Sequence, residues 1–263
     1  MSLSVYQVDA FTREAFGGNP AAVVPLESWL GDDLLQAIAA ENNLSETAYI
    51  VPRGDDYELR WFTPAVEVDL CGHATLASAH VLFQHSGYDR DQVCFHTRSG
   101  ELWVSRAEQG YTLDFPAYTL EEGRMDMAVS DALGLTASEV FDVQCAAKQL
   151  HVFEFEEDVA GLAPDFAALR AATDNCIIAT APGNECDFVS RFFGPPVGVN
   201  EDPVTGSAHC ALVPYWSGRT GLQRLSARQI SARGGELDCS YQQGRVAMTG
   251  QAVTFLQGQI LLP

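Results

Sequence analysis

The sequence is poor in positive charge. Fifteen lysine and arginine side chains stand against 35 acidic ones, for a formal net charge of −20. Nucleic acid and anionic membrane are excluded as partners on that ground, because both call for a positive binding face. Lysine is nearly absent: Lys148 is the single one, so a pyridoxal Schiff base has one possible anchor. There is no G-x-G-x-x-G, no Walker loop and no G-x-S-x-G. The seven cysteines, at 71, 94, 145, 176, 186, 210 and 239, form no C-x-x-C pair and no zinc spacing. Such a scattered, odd set suits reduced thiols packed as small hydrophobes, in a cytoplasmic protein. No apolar run approaches transmembrane length, and Met1–Ser4 offers neither a basic leader nor an apolar one.

What the chain does have is a stretch that occurs twice. Phe62-Thr63-Pro64-Ala65-Val66-Glu67-Val68 runs through Asp69-Leu70-Cys71 into Gly72-His73-Ala74. Phe193-Gly194-Pro195-Pro196-Val197-Gly198-Val199 runs through Asn200 to Thr205 into Gly206-Ser207-Ala208. The phenylalanines are 131 positions apart and the glycines 134, about half of the 263 residues. Alternation in F-x-P-x-V-x-V predicts an extended segment with one buried face. The small residues after each glycine predict the start of a buried helix. A helix start presents unpaired N–H groups and partial positive charge, a seat for an anion. Two seats related by a repeat suggest one ligand held between two halves. The alternative is that the repeat records only a duplication.

Taken in order, Ser4–Ala10 reads as a strand, Phe11–Pro20 as a loop and Ala21–Leu26 as a strand. Asp32 or Asp33 is placed to cap a helix through Leu34, Leu35, Ile38 and Ala39. Strands follow from Thr47 and over Tyr57–Phe62. Gly72–Phe83 is apolar or small on every side, with histidine its one ionisable type, and reads as a central buried helix. Strands are expected at Val93–His96, Gly100–Ser105 and Tyr111–Phe115. Gly100-Glu101-Leu102 is echoed by Gly235-Glu236-Leu237, so the repeat covers whole halves. The acidic connector over Pro116–Arg124 sets the boundary, giving halves of 1–117 and 118–263, with the last strand free to return to the first. In the second half, Ser130–Leu133 reads as helical. Thr136-Ala137-Ser138-Glu139 has capping-box spacing for a short helix. Val152–Phe155 reads as strand, Pro164–Ala172 as helix, Ile177–Thr180 and Asp187–Phe193 as strands, and Val246–Leu262 as two more. Mixed strands around one buried helix per half give an α+β class rather than a regular βαβ alternation.

The repeat linkers carry the reactive groups: Asp69, Cys71 and His73 in the first, and Glu201, Asp202, Thr205 and Ser207 in the second. Such groups on both sides of a small anionic substrate suit removal of a proton next to a carboxylate and its return elsewhere. Glu46 opens an apolar strand with no cation near it in sequence, which on its own reads as a surface glutamate.

The chain resembles the PhzF-like (phenazine biosynthesis-like) family, relatives of diaminopimelate epimerase. The resemblance is carried by Val8-Asp9-Ala10-Phe11-Thr12 with Gly17-Gly18-Asn19-Pro20, by Ser45-Glu46-Thr47-Ala48, by Asp69-Leu70-Cys71-Gly72-His73-Ala74-Thr75 and by Glu201 through His209. It implies two similar halves, each a sheet wrapped around a helix, with the active site between them, no cofactor and a homodimeric state. It implies that Glu46 moves the proton, with His73, Asp202 and Ser207 as its catalytic partners. Cys71, Gly72, Gly206, Thr205 and Asn19 fall to substrate binding. The expected activity is a proton-shift isomerisation of a small carboxylate-bearing, amino-acid-like metabolite.

One departure narrows the chemistry. Diaminopimelate epimerase and proline racemase use two cysteines; here Cys71 fills the first position but Thr205 the second, and a hydroxyl of ordinary pKa is no base near neutrality. A symmetric two-cysteine racemisation is therefore not expected. An epimerase using Cys71 with another base, and a non-catalytic metabolite-binding relative, stand as alternatives. His73, at a helix start that disfavours its protonated form, is expected to act neutral, as a hydrogen-bond donor. His209 and Cys210 are expected in the core. Cys71, His73 and His80 are expected to diverge rather than share a metal.

Overall fold

The computed structural model describes residues 2–262 and divides into two compact units, Met1–Asp114 with Thr249–Pro263, and Phe115–Met248. In unit 1, β1 (Ser2–Ala10), β2 (Asn19–Pro25), α1 (Asp32–Asn42), β3 (Glu46–Arg53), β4 (Asp56–Phe62), β5 (Glu67–Val68), α2 (Gly72–His85), β6 (Gln92–Thr97), β7 (Gly100–Ala107) and β8 (Gly110–Pro116) follow in order. β1 pairs antiparallel with β2, β2 parallel with β3, β3 antiparallel with β4, β4 parallel with β6, and β6 antiparallel with β7, which continues to β8. The short β5 folds back on β4.

Unit 2 holds β9 (Leu120–Glu122), α3 (Met127–Leu133), β10 (Glu139–Val143), β11 (Lys148–Val152), α4 (Glu156–Gly161), α5 (Phe166–Ala172), β12 (Cys176–Pro182), β13 (Phe188–Gly194), β14 (Val199–Asp202), α6 (Gly206–Thr220), β15 (Arg224–Gln229), β16 (Gly235–Gln242) and β17 (Arg245–Gly250). Its pairings repeat those of unit 1. β10–β11 is antiparallel, β11–β12 parallel, β12–β13 antiparallel, β13–β15 parallel and β15–β16 antiparallel, with β14 folded back on β13. β18 (Ala252–Leu261) belongs to unit 1, where it pairs antiparallel with β1.

In unit 1 the sheet curls around α2, which packs on β1, β2, β3, β7 and β18. All twelve residues from Gly72 to Phe83 are buried, so this helix has no solvent face, as its uniform apolarity predicts. Each of Leu76, Leu82 and Phe83 contributes about 1.5–3 kcal/mol by leaving water. α1 covers the outer face of the sheet. Leu35, Ile38 and Ala39 of α1 pack on Val24, Tyr49 and Phe62, and the Tyr49 hydroxyl donates to Leu35 O at 2.6 Å. In unit 2, Val129, Leu133, Leu169, Ile177 and Phe193 form the corresponding cluster under α3 and α5. No helix among the described residues is long and apolar enough to cross a membrane.

Several local expectations are corrected. F-x-P-x-V-x-V is not one extended segment. Phe62 ends β4 and Phe193 lies near the end of β13, and the prolines that follow turn the chain back into β5 and β14. Thr63 N–H donates to Val66 O in the first turn, and Pro195–Val197 forms a 3-10 turn in the second. Val66 and Val197 sit on these turns, 57% and 66% exposed, because the alternation belongs to two antiparallel strands and not to one. α1 takes Gly31 as N-cap, with Asp32 and Asp33 inside its first turn, where their charge favours the helix without a capping bond. Thr136–Glu139 caps no helix. Ser138 bonds Val152 O through both N–H and hydroxyl, which draws Glu139 into β10 opposite Val152. The strand expected at Val152–Phe155 ends at Val152, and α4 begins four residues later.

The turn from β1 to β2 depends on Gly18. Its φ is +60°, and a Cβ there would stand 2.1 Å from Ala10 O, an approach only glycine permits. Gly18→Ala is expected to lower stability by at least about 2 kcal/mol, read as a lower denaturant midpoint with unchanged slope. A midpoint equal to that of wild type would contradict this account of the turn.

Candidate active site

Three elements of unit 1 bring the reactive residues together. β2 opens with Asn19, β3 opens with Glu46, and α2 opens at Gly72 after its N-cap Cys71. Parallel pairing sets Ala21 level with Glu46, so the first residues of β2 and β3 lie side by side at the N-terminal end of α2. His73 Nε2 lies 3.1 Å from Glu46 Oε2. The two atoms are in ion-pair contact but not aligned as a hydrogen bond, and neither has another hydrogen-bond partner although both are buried. On the other side of the ring, Nδ1 is 3.1 Å from Asn19 Nδ2 and 3.5 Å from Cys71 Sγ. Glu46, read from sequence as lacking a local cation, gains one across the fold.

The ionisation of His73 is a correction. Burial opposes charging the ring, and so does the helix start, as the sequence reading held. The Cys71 sulfur in hydrogen-bond contact with the ring and the neighbouring Glu46 carboxylate outweigh both and raise its pKa well above 6.5. The partner at 3.1 Å therefore prevails over the partial charges of the helix end, as expected in a site with little water. The Asn19 amide suits either state: its nitrogen can donate to a bare Nδ1, and its oxygen, with the amide turned, can accept from Nδ1–H. Asn19 is fully buried, so it holds the ring.

Cys71 is 6% exposed. Burial, reinforced by Glu46, pushes its thiol up to about 11, against the opposing pull of His73 and the Ala74 amide. It is a thiol at neutral pH and no ready base. Glu46, Cys71 and His73 also present ligand atoms within 4.8 Å of one another; a cation bound there would displace the His73 proton. His80 is elsewhere, bonded to Tyr111 and Thr254 through its two ring nitrogens.

The corresponding turn of unit 2 is built differently. Thr205 is the N-cap of α6 and its hydroxyl donates to Asp202 Oδ2 at 2.5 Å. Gln229, 1% exposed at the end of β15, clamps the turn. Its amide nitrogen donates to Asp202 O at 2.7 Å, and its oxygen accepts from Thr205 N–H at 2.8 Å. Sequence reasoning missed Gln229, since it lies 24 positions from Thr205 in a polar strand. Ser207 occupies the position of His73 in the second helix start, and Gly206 that of Gly72. His209 is fully buried and neutral, pulled down to about 4 by burial, with Nδ1–H donating to Thr205 O. Cys210 is buried in the same helix.

Glu201 is not free for chemistry. Arg191 grips it through two bonds of 2.7 and 2.9 Å and also donates to Leu162 O. Unit 1 has the same clamp, with Arg60 on Glu67 at 2.7 and 2.8 Å. Each arginine also lies over the phenylalanine two residues on, Phe62 at 5.1 Å and Phe193 at 4.9 Å. Asp69 is exposed and contributes a backbone carbonyl to Ser99. Lys148, outside both motifs in sequence, stands level with Cys176 in the β11–β12 pair and over the Tyr118 ring at 5.5 Å, its pKa lowered by burial.

The profile of the PhzC-PhzF family, described as phenazine biosynthesis-like protein, matches residues 8–258. An uncharacterized isomerase of Pseudomonas aeruginosa is 50% identical over 262 residues, covering all of both chains. A PhzF-family crystal structure from Enterococcus faecalis superposes with a TM-score of 0.95 at 46% identity, again over the full length of both. A hydroxyproline epimerase of Agrobacterium vitis shares the fold at 11% identity, with a TM-score of 0.59 over 98% of this chain and 92% of its own.

The raised His73 pKa fixes a sign for stability against pH. Its contribution is full below the ordinary value of 6.5 and is lost as pH climbs through the higher value of the folded state. Denaturation of wild type and Glu46→Gln across pH should show the wider gap near about pH 6, closing toward alkaline pH. A gap that does not vary with pH would rule out the ion pair.

Proposed function

Because the chain belongs to the phenazine biosynthesis-like (PhzC-PhzF) family and is an isomerase of that type, we propose that it moves a proton within a small carboxylate-bearing, amino-acid-like metabolite, with Glu46 as the group that carries it. The supporting observation is the buried Glu46–His73 pair at the start of α2. A carboxylate held beside an imidazolium can accept a proton from carbon and return it to another atom of the same substrate. The imidazolium and the N-terminal amides of α2 near Gly72 favour the negative charge that develops in between, and they favour the substrate carboxylate throughout. Glu46 keeps 18% of its side chain exposed, so it can be both positioned by His73 and reached. On the family resemblance, Asp202, Ser207 and the amides near Gly206 are proposed to take part in substrate binding. No group beyond the chain's own side chains and amides is needed for these steps.

The epimerase reading loses support at Cys71, whose buried thiol would have to ionise from about 11. The test is label uptake from deuterated water by a panel of cyclic and acyclic amino-acid-like carboxylates, followed by NMR. Glu46→Gln should cut uptake by about 10²–10⁴-fold while ligand affinity stays within a few-fold. Cys71→Ala should keep most of it, and Asp202→Asn should weaken binding as well as turnover. Uptake that survives Glu46→Gln but fails in Cys71→Ala would replace this reading by the epimerase.

A further inference from the structure

Unit 1 carries a second cluster of ligating side chains, on the face of the sheet formed by β4, β6 and β7. In the parallel β4–β6 pair, Tyr57 is level with Phe95 and Glu58 with His96, which sets Asp56 level with Cys94. Side chains alternate between faces. Asp56, Cys94 and His96 therefore emerge on one face, and Tyr57 and Phe95 on the other, where their rings stand 6.5 Å apart. Across β6–β7, Glu101 faces His96.

One oxygen of Asp56, Cys94 Sγ and one ring nitrogen of His96 lie within 4.8 Å of one another. Asp56 Oδ2 is 3.8 Å from His96 Nε2, and Glu101 Oε1 is 3.6 Å from Nδ1. These are too long for hydrogen bonds. The first is close to the separation of two donors sharing a tetrahedral ion, about 3.4 Å for metal bonds of about 2.0–2.1 Å.

The internal repeat supplies a comparison. Phe188 is level with Ala227 in unit 2 as Tyr57 is with Phe95 in unit 1. Asp187, Ser226 and Arg228 thus stand where Asp56, Cys94 and His96 stand, and Glu236 faces Arg228 as Glu101 faces His96. In unit 2 the aspartate is satisfied from within: Ser226 donates its N–H and its hydroxyl to Asp187 Oδ2 at 2.7 and 2.8 Å. Arg228 supplies a fixed cation, 3.4 Å from Glu185. Unit 1 keeps both acids but has a thiol in place of the hydroxyl and an imidazole in place of the guanidinium. Two groups that cannot ligate a metal well become two that can. The nearby cation Arg53 lies across from Asp56 but 4.0 Å from Glu58.

We propose that Asp56, Cys94 and His96 form a site for a divalent transition metal of the zinc class, with Glu101 facing the far ring nitrogen of His96 and solvent as the remaining ligand. Cys94 is 1% exposed, and burial with Glu101 and Asp56 pushes its thiol up to about 11. It is inert toward oxidants as a free thiol, and metal binding releases its proton to solvent.

Cobalt(II) is the probe, added to the reduced, chelator-treated full chain. A thiolate-to-cobalt charge-transfer band should appear, and zinc should displace it. The band should persist in Cys71→Ser and vanish in Cys94→Ser. His96→Ala and Asp56→Asn, at half-buried positions, should each weaken cobalt binding at least about tenfold without shifting the thermal midpoint of the metal-free chain. No band in wild type, a band that survives Cys94→Ser, or one lost in Cys71→Ser would overturn the proposal. If Cys94→Ser does not fold, unchanged cobalt affinity in His96→Ala would overturn it equally.

Discussion

A half-buried carboxylate beside a buried imidazole is the constraint on which unit 1 depends. Neither group can be left alone in the interior, since an isolated charge there costs several kcal/mol. Glu46 and His73 solve this jointly, at 3.1 Å. The solution reaches back through the fold. It needs β2 and β3 parallel and in register, so that Asn19 and Glu46 open adjacent strands. It needs Gly18 with positive φ to deliver Asn19. It needs α2 buried from Gly72 through Phe83, so that its first turn opens under those strand ends and not into water. The same features that stabilise the pair make it chemically useful, because a base held at an anion-favouring helix start suits the creation of negative charge on a substrate.

Duplication explains why a second such place exists, and divergence explains why it differs. Strand pairing places Thr47 opposite Phe62 and Ile177 opposite Phe193. Cys176 is therefore the counterpart of Glu46, as Ser207 is of His73. The carboxylate and imidazole of one unit are a thiol and a hydroxyl in the other, and the acid of the second turn, Asp202, sits instead in the linker, held by Thr205 and Gln229. What both units retain is the scaffold. An arginine two residues before the phenylalanine grips a glutamate on the returning strand and lies over the ring. A proton shuttle needs one good base and groups that polarise, and two equal bases are not required, which fits the absence of a second cysteine at Thr205.

Much of this was legible in the chain, for reasons that differ by element. α2 was legible because twelve successive residues offer no polar face. The two halves were legible because phenylalanine, glycine and the Gly-Glu-Leu echo recur at nearly one offset. The turns inside the repeat were not. Prolines that end a strand and valines that start its partner mimic the alternation of a single strand, and only pairing separates the two. Thr136–Glu139 misled because a capping box and a strand start share the same short polar residues until Ser138 finds Val152 O. At the site, the identity of Glu46 came from family resemblance and not from its neighbours, because its cation is 27 positions away. The charge on His73 was misread for the same reason: the helix start is visible in sequence, whereas the carboxylate that outweighs it is visible only in space. Gln229 and the Arg191–Glu201 clamp lie beyond local pattern altogether.

The most direct measurement of the central claim is the ionisation of His73 itself. Nitrogen-15 NMR of the labelled histidine rings, with His73 assigned by loss of its signals in His73→Gln, reports whether both ring nitrogens carry protons. The account predicts an imidazolium for His73 in wild type at about pH 7.5, above the ordinary histidine range, and a neutral ring at the same pH in Glu46→Gln. A His73 that is already neutral in wild type near neutrality, or whose titration is unmoved by Glu46→Gln, would contradict it.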